Sequence, residues 1–372
     1  MRDFKNINRI VIKIGSSSLV NEDFSVNMPR LVNIMQSFKT LKDKGIDVAL
    51  VSSGAIATGM HELNLKKKPK EMALKQACAA VGQAKLMELY NKAAEIFNLK
   101  TGQILVNHDD FQIRKRMNYL TDTLDAMFKN GIIPIINEND ALAVEEIKVG
   151  DNDTLAALIA PMVGAKLLIL FSDIDGLYNK NPKEYSDAVK IDLVEKIDQS
   201  ILDMVGKVTS EVGTGGMQTK IDAALISTTA GCHNIICNSN RIGDLTKIVE
   251  GEEIGTLFLA NKKGISSREH WLIFKANSSG TIVIDDGCIK ALSNKKVSLL
   301  PKGILCVSGN FLKGAVVDVR DKSNALIAKG ISKYSNLEIE KFITQKEEKS
   351  QEVIHANDLV LIRENYYGRF TK

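Results

Sequence analysis

The chain has 372 residues, 44% apolar and 25% charged, with a net charge of +4, which leaves room for two domains and fits an ordinary soluble globular protein. No apolar run approaches the roughly 20 residues that cross a bilayer, so a membrane span is excluded. From Asn277 onward 15 Lys and Arg face 11 Asp and Glu, while the first 276 residues hold 34 of each; this C-terminal excess falls short of the basic stripe of a dedicated nucleic-acid binder.

Arg9 to Ile14 reads as a short β-branched strand followed by Gly15-Ser16-Ser17-Ser18. The apolar stretch is interrupted by Lys13, so the first 15 residues read as a strand and not as a signal peptide. A lysine in a buried parallel strand is costly unless its charge has a partner. Lys13 is therefore either an edge-strand lysine reaching for water or an anion-binding group served by the glycine and hydroxyls that follow. Pro29 to Lys44 has helical periodicity and stops at Gly45. Asp47 to Val51 is the next strand, and Ser52-Ser53-Gly54 leads into a helix from Ala55 to Leu63, with serine as a cap or a ligand. Glu71 to Phe97 is a long helix rich in Ala, Leu, Lys and Glu. Strands at Gln103 to Val106, Ile132 to Ile136, Lys166 to Phe171 and Asn234 to Cys237 follow, with helical patterns between them. Such alternation predicts an α/β fold, a mostly parallel sheet sandwiched by helices, with ligands outside the carboxyl ends of its strands.

The polar motifs fall at those ends. Asn137-Glu138-Asn139-Asp140 follows one strand, and Gly150-Asp151-Asn152-Asp153 opens the helix to Met162. Half of this run is explained by helix capping; the rest could bind an ammonium group, order nearby lysines or hold a metal through water. Ser172-Asp173 ends another strand, before a turn that could hold an adenine or ribose edge. Gly213-Thr214-Gly215-Gly216-Met217-Gln218-Thr219-Lys220 then enters an alanine-rich helix. Three glycines in four positions, a helix N-terminus and a lysine one turn in suggest a nucleotide phosphate. The stretch matches neither a P-loop nor a dinucleotide fingerprint.

Past residue 260 the pattern changes. Residues 261–279 are polar, contain the only tryptophan, Trp271, and read as a linker or docking segment. Short alternating runs from Gly280 onward predict a small β-rich domain of roughly 80 residues, of barrel type. Five cysteines without a C-x-x-C pair argue for reduced thiols in a cytoplasmic protein, and the scattered histidines give no expectation of a structural metal.

The set points to chemistry. Two lysines, three Gly/Ser turns and several carboxylates converge on one sheet edge with no histidine nearby, which argues against a hydrolase triad. Phosphoryl transfer fits, because it needs positioning and charge neutralisation more than a covalent partner. A carboxylate acceptor, with a pKa of about 4.3, is already ionised at neutral pH and needs no general base.

Val11-Ile12-Lys13-Ile14-Gly15-Ser16-Ser17, Ser53-Gly54-Ala55, Asn137-Glu138-Asn139-Asp140, 147–153 and 213–220 resemble, in order, the motifs of the amino acid kinase family in its glutamate-phosphorylating branch. Residues 280 to about 351, with Leu299-Leu300-Pro301-Lys302-Gly303, resemble the PUA domain that some members append. The resemblance implies a kinase domain over 1–260, a linker over 261–279 and a PUA-like domain over 280–372. It implies ATP with Mg²⁺ as cofactors and transfer to the side-chain carboxylate of L-glutamate, giving L-glutamyl 5-phosphate at the start of proline biosynthesis. By position, Lys13 and Lys220 would stabilise the transferring group and Asp153 would orient both lysines. Ser53, Asp140 and Asn152 would bind substrate. Lys13, Ser172, Asp173 and Thr214, Gly215, Gly216, Met217, Gln218, Thr219 and Lys220 would bind ATP. Ser172 stands where the family has threonine, which keeps the hydroxyl. A carboxylate at Asp140 suits an acceptor with a free α-ammonium better than an N-acylated one. A homo-oligomer and inhibition by proline follow from the resemblance alone; the cytoplasmic location rests on the cysteines, and the small basic excess gives no expectation of a nucleic-acid partner. Two other readings stay open: a kinase of this fold for aspartate, acetylglutamate or a nucleoside monophosphate, and an RNA-binding factor built on the PUA-like module.

Overall fold

The computed structural model describes residues 2, 4, 7–142, 152–182, 184–206, 216–262, 264–344 and 351–362. They form two units, Met1–Asp110 with Arg114–Gly264, and Phe111–Ile113 with Ile265–Lys372. In chain order the strands and helices up to Gly264 are β1 (Arg9–Ile14), α1 (Met28–Asp43), β2 (Asp47–Ser52), α2 (Ala55–Glu62), α3 (Met72–Glu95) and β3 (Lys100–Val106). Then come α4 (His108–Gln112), α5 (Arg114–Lys129), β4 (Ile132–Glu138), α6 (Asn152–Met162) and β5 (Leu167–Ser172). The series closes with β6 (Leu177–Tyr178), β7 (Lys190–Ile191), β8 (Leu193–Val194), α7 (Gln199–Gly206), α8 (Met217–Thr229), β9 (His233–Asn238), α9 (Leu245–Val249) and β10 (Thr256–Phe258).

The main sheet has the order β3-β4-β2-β1-β5-β9-β10-β8. Its first six strands run parallel. β10 returns antiparallel to β9, and β8 runs parallel to β10. Strands covered on both faces read as continuous apolar runs, and all six residues of β5 are buried. β1 is central: Lys13 lies in register between Val51 on β2 and Leu170 on β5. That position removes the edge-strand reading of Lys13. The helices supply the rest of the core. α1 begins at the Asn27 cap, which accepts from the Arg30 N–H at 3.0 Å, and buries Leu31, Ile34, Met35 and Phe38. α2 and α3 meet at backbone distance. A Cβ on Gly59 would stand 1.8 Å from the Cys78 carbonyl oxygen, and one on Gly82 would stand 1.9 Å from that of Ala55.

The second unit contains α10 (Ser267–Phe274), β11 (Gly280–Ile284), α11 (Asp286–Asn294), β12 (Ile304–Ser308), β13 (Val316–Arg320), β14 (Leu326–Ile331), α12 (Asn336–Thr344) and β15 (Leu359–Leu361). Its β-rich part is a five-stranded sheet of order β12-β11-β13-β14-β15. Ile282, Ile284, Val317, Val319 and Ala328 from that sheet close on Ile339 of α12 and on Val353 and Ile354. The polar stretch read as a linker or docking segment holds α10, started by a capping box in which Ser266 and Glu269 satisfy each other's backbone N–H. Among the described residues no helix is long and apolar enough to cross a membrane.

Candidate active site

Lys13 on β1, Asp153 at the start of α6 and Lys220 in α8 come together because α6 packs against both β1 and α8. Lys13 Nζ is 2.5 Å from Asp153 Oδ1 and Lys220 Nζ is 3.1 Å from Asp153 Oδ2. The carboxylate is fully buried and the two ammonium-bearing side chains are 10% and 7% exposed. Burial alone would push the Asp153 carboxyl up, but the charges of Lys13 and Lys220 outweigh it and hold the group below the usual aspartate range. The Thr219 hydroxyl donates to the Gly216 carbonyl at 2.9 Å and lies 3.3 Å from Asp153 Oδ2. Two cations are thus held side by side by one anion, leaving a net positive charge at the carboxyl edge of the sheet.

Beside this cluster, Ser52 ends β2 and Gly54 takes a left-handed φ of +104° that turns the chain into α2. The Asn152 amide nitrogen donates to the Ser52 carbonyl at 3.0 Å, to Ser53 Oγ at 2.6 Å and to Asn137 Oδ1 at 3.0 Å. Asn137 in turn donates to Gln83 Oε1 at 2.9 Å, and Gln83 donates to Gln103 Oε1 at 3.1 Å. Asp140 lines a cavity of about 180 Å³ with Ala55, Gln83, Gln103 and Glu138. Of the three residues that sequence reasoning assigned to substrate, Ser53 and Asn152 meet in the hydrogen-bonded chain and Asp140 lines the cavity; that reasoning missed Gln83, which belongs to both, and Gln103. The signal was present in α3: Ala79, Gln83, Leu86 and Tyr90 share its buried face, so a glutamine at that spacing needed a partner.

On the other side of β1, the Ser172 hydroxyl donates to Asp173 Oδ1 at 3.0 Å, and the Asn238 amide from β9 donates to the Asp173 carbonyl at 3.1 Å. Asp175 accepts from the Tyr178 hydroxyl at 2.7 Å. α8 starts at Gly216, which is extended and gives the helix no side-chain cap. Its first-turn N–H groups, with Lys220 behind them, form the anion-facing end of a helix. Gln218 donates to Asp222 at 3.1 Å within the helix, and Met217 is half-buried. Thr214 and Gly215, like Gly150 and Asp151, lie outside the described residues.

The profile of the amino acid kinase family matches residues 8–238, and that of the PUA domain matches residues 280–363. A protein named glutamate 5-kinase from Caldanaerobacter subterraneus subsp. tengcongensis is 43% identical over 370 residues, covering 97% of this chain and 100% of its own. One of the same name from Thermoanaerobacter sp. is 42% identical over 363 residues, covering 95% and 98%. The solved carbamate kinase from Giardia lamblia bound to AMP-PNP superposes with a TM-score of 0.51 at 16% identity, covering 69% of this chain and 99% of its own. That last likeness is one of fold alone.

Proposed function

The chain belongs to the amino acid kinase family, and on that premise we propose that it transfers the γ-phosphoryl group of ATP to the side-chain carboxylate of L-glutamate. The product is L-glutamyl 5-phosphate, the first intermediate on the way to proline. Near-full-length identity of 43% and 42% to two proteins named glutamate 5-kinase supports the substrate. The observation that carries the chemistry is Asp153 held between Lys13 and Lys220.

In this reading an ionised carboxylate approaches a polyanion, and the chief barrier is charge repulsion and loose alignment. Lys13 and Lys220 meet the charge on the transferring oxygens, at sites fixed before the substrates arrive. Asp153 is a positioning residue. It keeps two like charges close, and its burial stops either ammonium from drifting into water. The uncapped start of α8 takes further phosphate oxygens, and Ser172 and Asp173 face the nucleoside end. Both oxygens of Asp153 are already committed to ammonium groups, so this carboxylate fits lysine placement better than metal ligation. Mg²⁺ would neutralise phosphate charge, carried by the nucleotide's own oxygens. On the acceptor side Ser53 and Asn152 bind glutamate at the mouth of β2, and Asp140 meets its α-ammonium. Thr214 and Gly215 are assigned to the phosphate loop by resemblance. Kinase and PUA-like domains over 1–260 and 280–372, assembly of several copies, inhibition by proline and a cytoplasmic location belong to the same reading.

The test is ADP release with Mg-ATP and L-glutamate, L-aspartate, N-acetyl-L-glutamate or UMP, with hydroxylamine trapping acyl phosphate. Glutamate-dependent ADP release with matching hydroxamate is expected. Turnover only with another acceptor would overturn the substrate.

A further inference from the structure

We propose that Gln83 is a positioning residue for the acceptor: through Asn137 it holds the Asn152 carboxamide so that Oδ1 faces the substrate as an acceptor and Ser53 is left to donate. This inference rests on the glutamate reading of the site. It begins with an inventory of polarity. The Asn152 amide nitrogen has two hydrogens and three acceptors around it, at 2.6 to 3.0 Å, so it has nothing left to offer a ligand. Its Oδ1 is buried and, among the described residues, has no donor. A buried carbonyl left unpaired is unfavourable, and a substrate ammonium would satisfy it. Ser53 Oγ accepts from Asn152 at 2.6 Å, which leaves its own proton for a ligand oxygen, as a carboxylate requires.

The direction of these amides is not arbitrary. The Ser52 carbonyl can only accept, so the edge of Asn152 facing it must be the nitrogen. The Glu138 N–H can only donate, and it meets Asn137 Oδ1 at 2.9 Å. Asn137 must therefore turn its nitrogen the other way, toward Gln83 Oε1 at 2.9 Å. Gln83 is the acceptor that satisfies this nitrogen, and it completes the chain by donating to Gln103 at 3.1 Å. Asn137 and Gln83 are 2% and 8% exposed, so water is a poor replacement for a lost partner. Gln103 is exposed and can turn to suit. With Gln83 removed, the buried Asn137 nitrogen must find another acceptor. Its rotation takes Oδ1 away from Asn152 and frees the Asn152 amide to turn.

Gln83→Met keeps length and bulk but removes the acceptor, whereas Gln83→Glu keeps an acceptor for Asn137 and lets Gln103 turn to donate. For Gln83→Met the KM for L-glutamate should rise about tenfold, the size of one misplaced buried hydrogen bond, with kcat and the KM for ATP within about twofold. Gln83→Glu should restore the glutamate KM to within about threefold, and Gln83→Met in an Asn152→Ala background should add less than about twofold, because coupled residues are not additive. Equal KM increases in both backgrounds, or a Gln83→Glu as impaired as Gln83→Met, would overturn the positioning role. If Gln83→Met does not fold, Gln83→Glu decides alone: a tenfold rise in its glutamate KM refutes the relay. If the unaltered chain releases no ADP with L-glutamate, the glutamate reading fails first and takes this inference with it.

Discussion

Asp153 shows how much a single buried carboxylate can organise. Its two oxygens face two ammonium groups, and breaking a buried pair of this kind costs about 3–5 kcal/mol. Asp153→Asn should therefore lower the unfolding free energy of the first unit by about that amount in urea titrations, and kcat by about a hundredfold as the lysines drift. Because the folded carboxyl is held below the usual aspartate range, its stabilisation is complete above the unfolded value of about 3.9 and is lost as pH falls through the lower folded value. Urea midpoints of the unaltered chain should show that acid loss, and Asp153→Asn should lack it. Lys13→Met removes one cation and leaves Asp153 with Lys220. Turnover should become undetectable while the far-ultraviolet spectrum stays unchanged. Undiminished ADP release from this variant would remove Lys13 from the mechanism.

At the scale of elements, the crossing of α2 and α3 determines where Gln83 can reach. Gly82 adjoins Gln83, and its missing Cβ would fall 1.9 Å from the Ala55 carbonyl oxygen and 2.3 Å from the Gly59 nitrogen. Backbone atoms cannot swing aside, so Gly82→Ala must push the helices apart. The expected loss is about 1–3 kcal/mol, with a raised KM for L-glutamate because Ala55 follows Ser53-Gly54 directly. Gly243, where a Cβ meets nothing within 4 Å, provides the control: Gly243→Ala should change stability by less than about 0.5 kcal/mol. Most of the first unit could be read from the chain, because buried parallel strands announce themselves as apolar runs and their polar punctuation falls at the carboxyl ends. Lys13 was conspicuous for the same reason, as a charge where the pattern allows none. Gln83 left a signal in its place on the buried face of α3, but the helical alanines around it gave no sign of which partners it meets. β10 was hidden by its length of three residues, and α10 by its polar capping residues. The pairing of Asn152 with Asn137 and Ser53 depends on side chains 15 and 99 positions apart, a separation no local pattern encodes.

The whole molecule divides its labour between two units with separate cores. Every described residue assigned to chemistry lies in the first, whereas the single tryptophan, Trp271, lies in the second and is 8% exposed. Indole fluorescence therefore reports the second unit, Phe111–Ile113 included. Ligand binding stabilises only the part that binds, by about 2.7 kcal/mol at a hundredfold excess over Kd. Mg-ATP should accordingly raise the urea midpoint followed by loss of activity and leave the fluorescence midpoint unmoved. Coincident transitions that shift together would show the units to be energetically one.

The Trp271 indole N–H donates to the carbonyl of Phe111, a residue 160 positions earlier, at 2.9 Å, and Phe111 to Ile113 belong to the second unit. Domains emerging from a ribosome generally fold N-terminal first, yet this short stretch is made long before the unit that receives it. A nascent chain that has reached Gly264 carries every described site residue and an apolar phenylalanine with its destination still unsynthesised. The interval exposes a sticky side chain to chaperones and to neighbouring chains. Burial of Phe111, 1% exposed in the folded chain, therefore waits for the synthesis of the second unit.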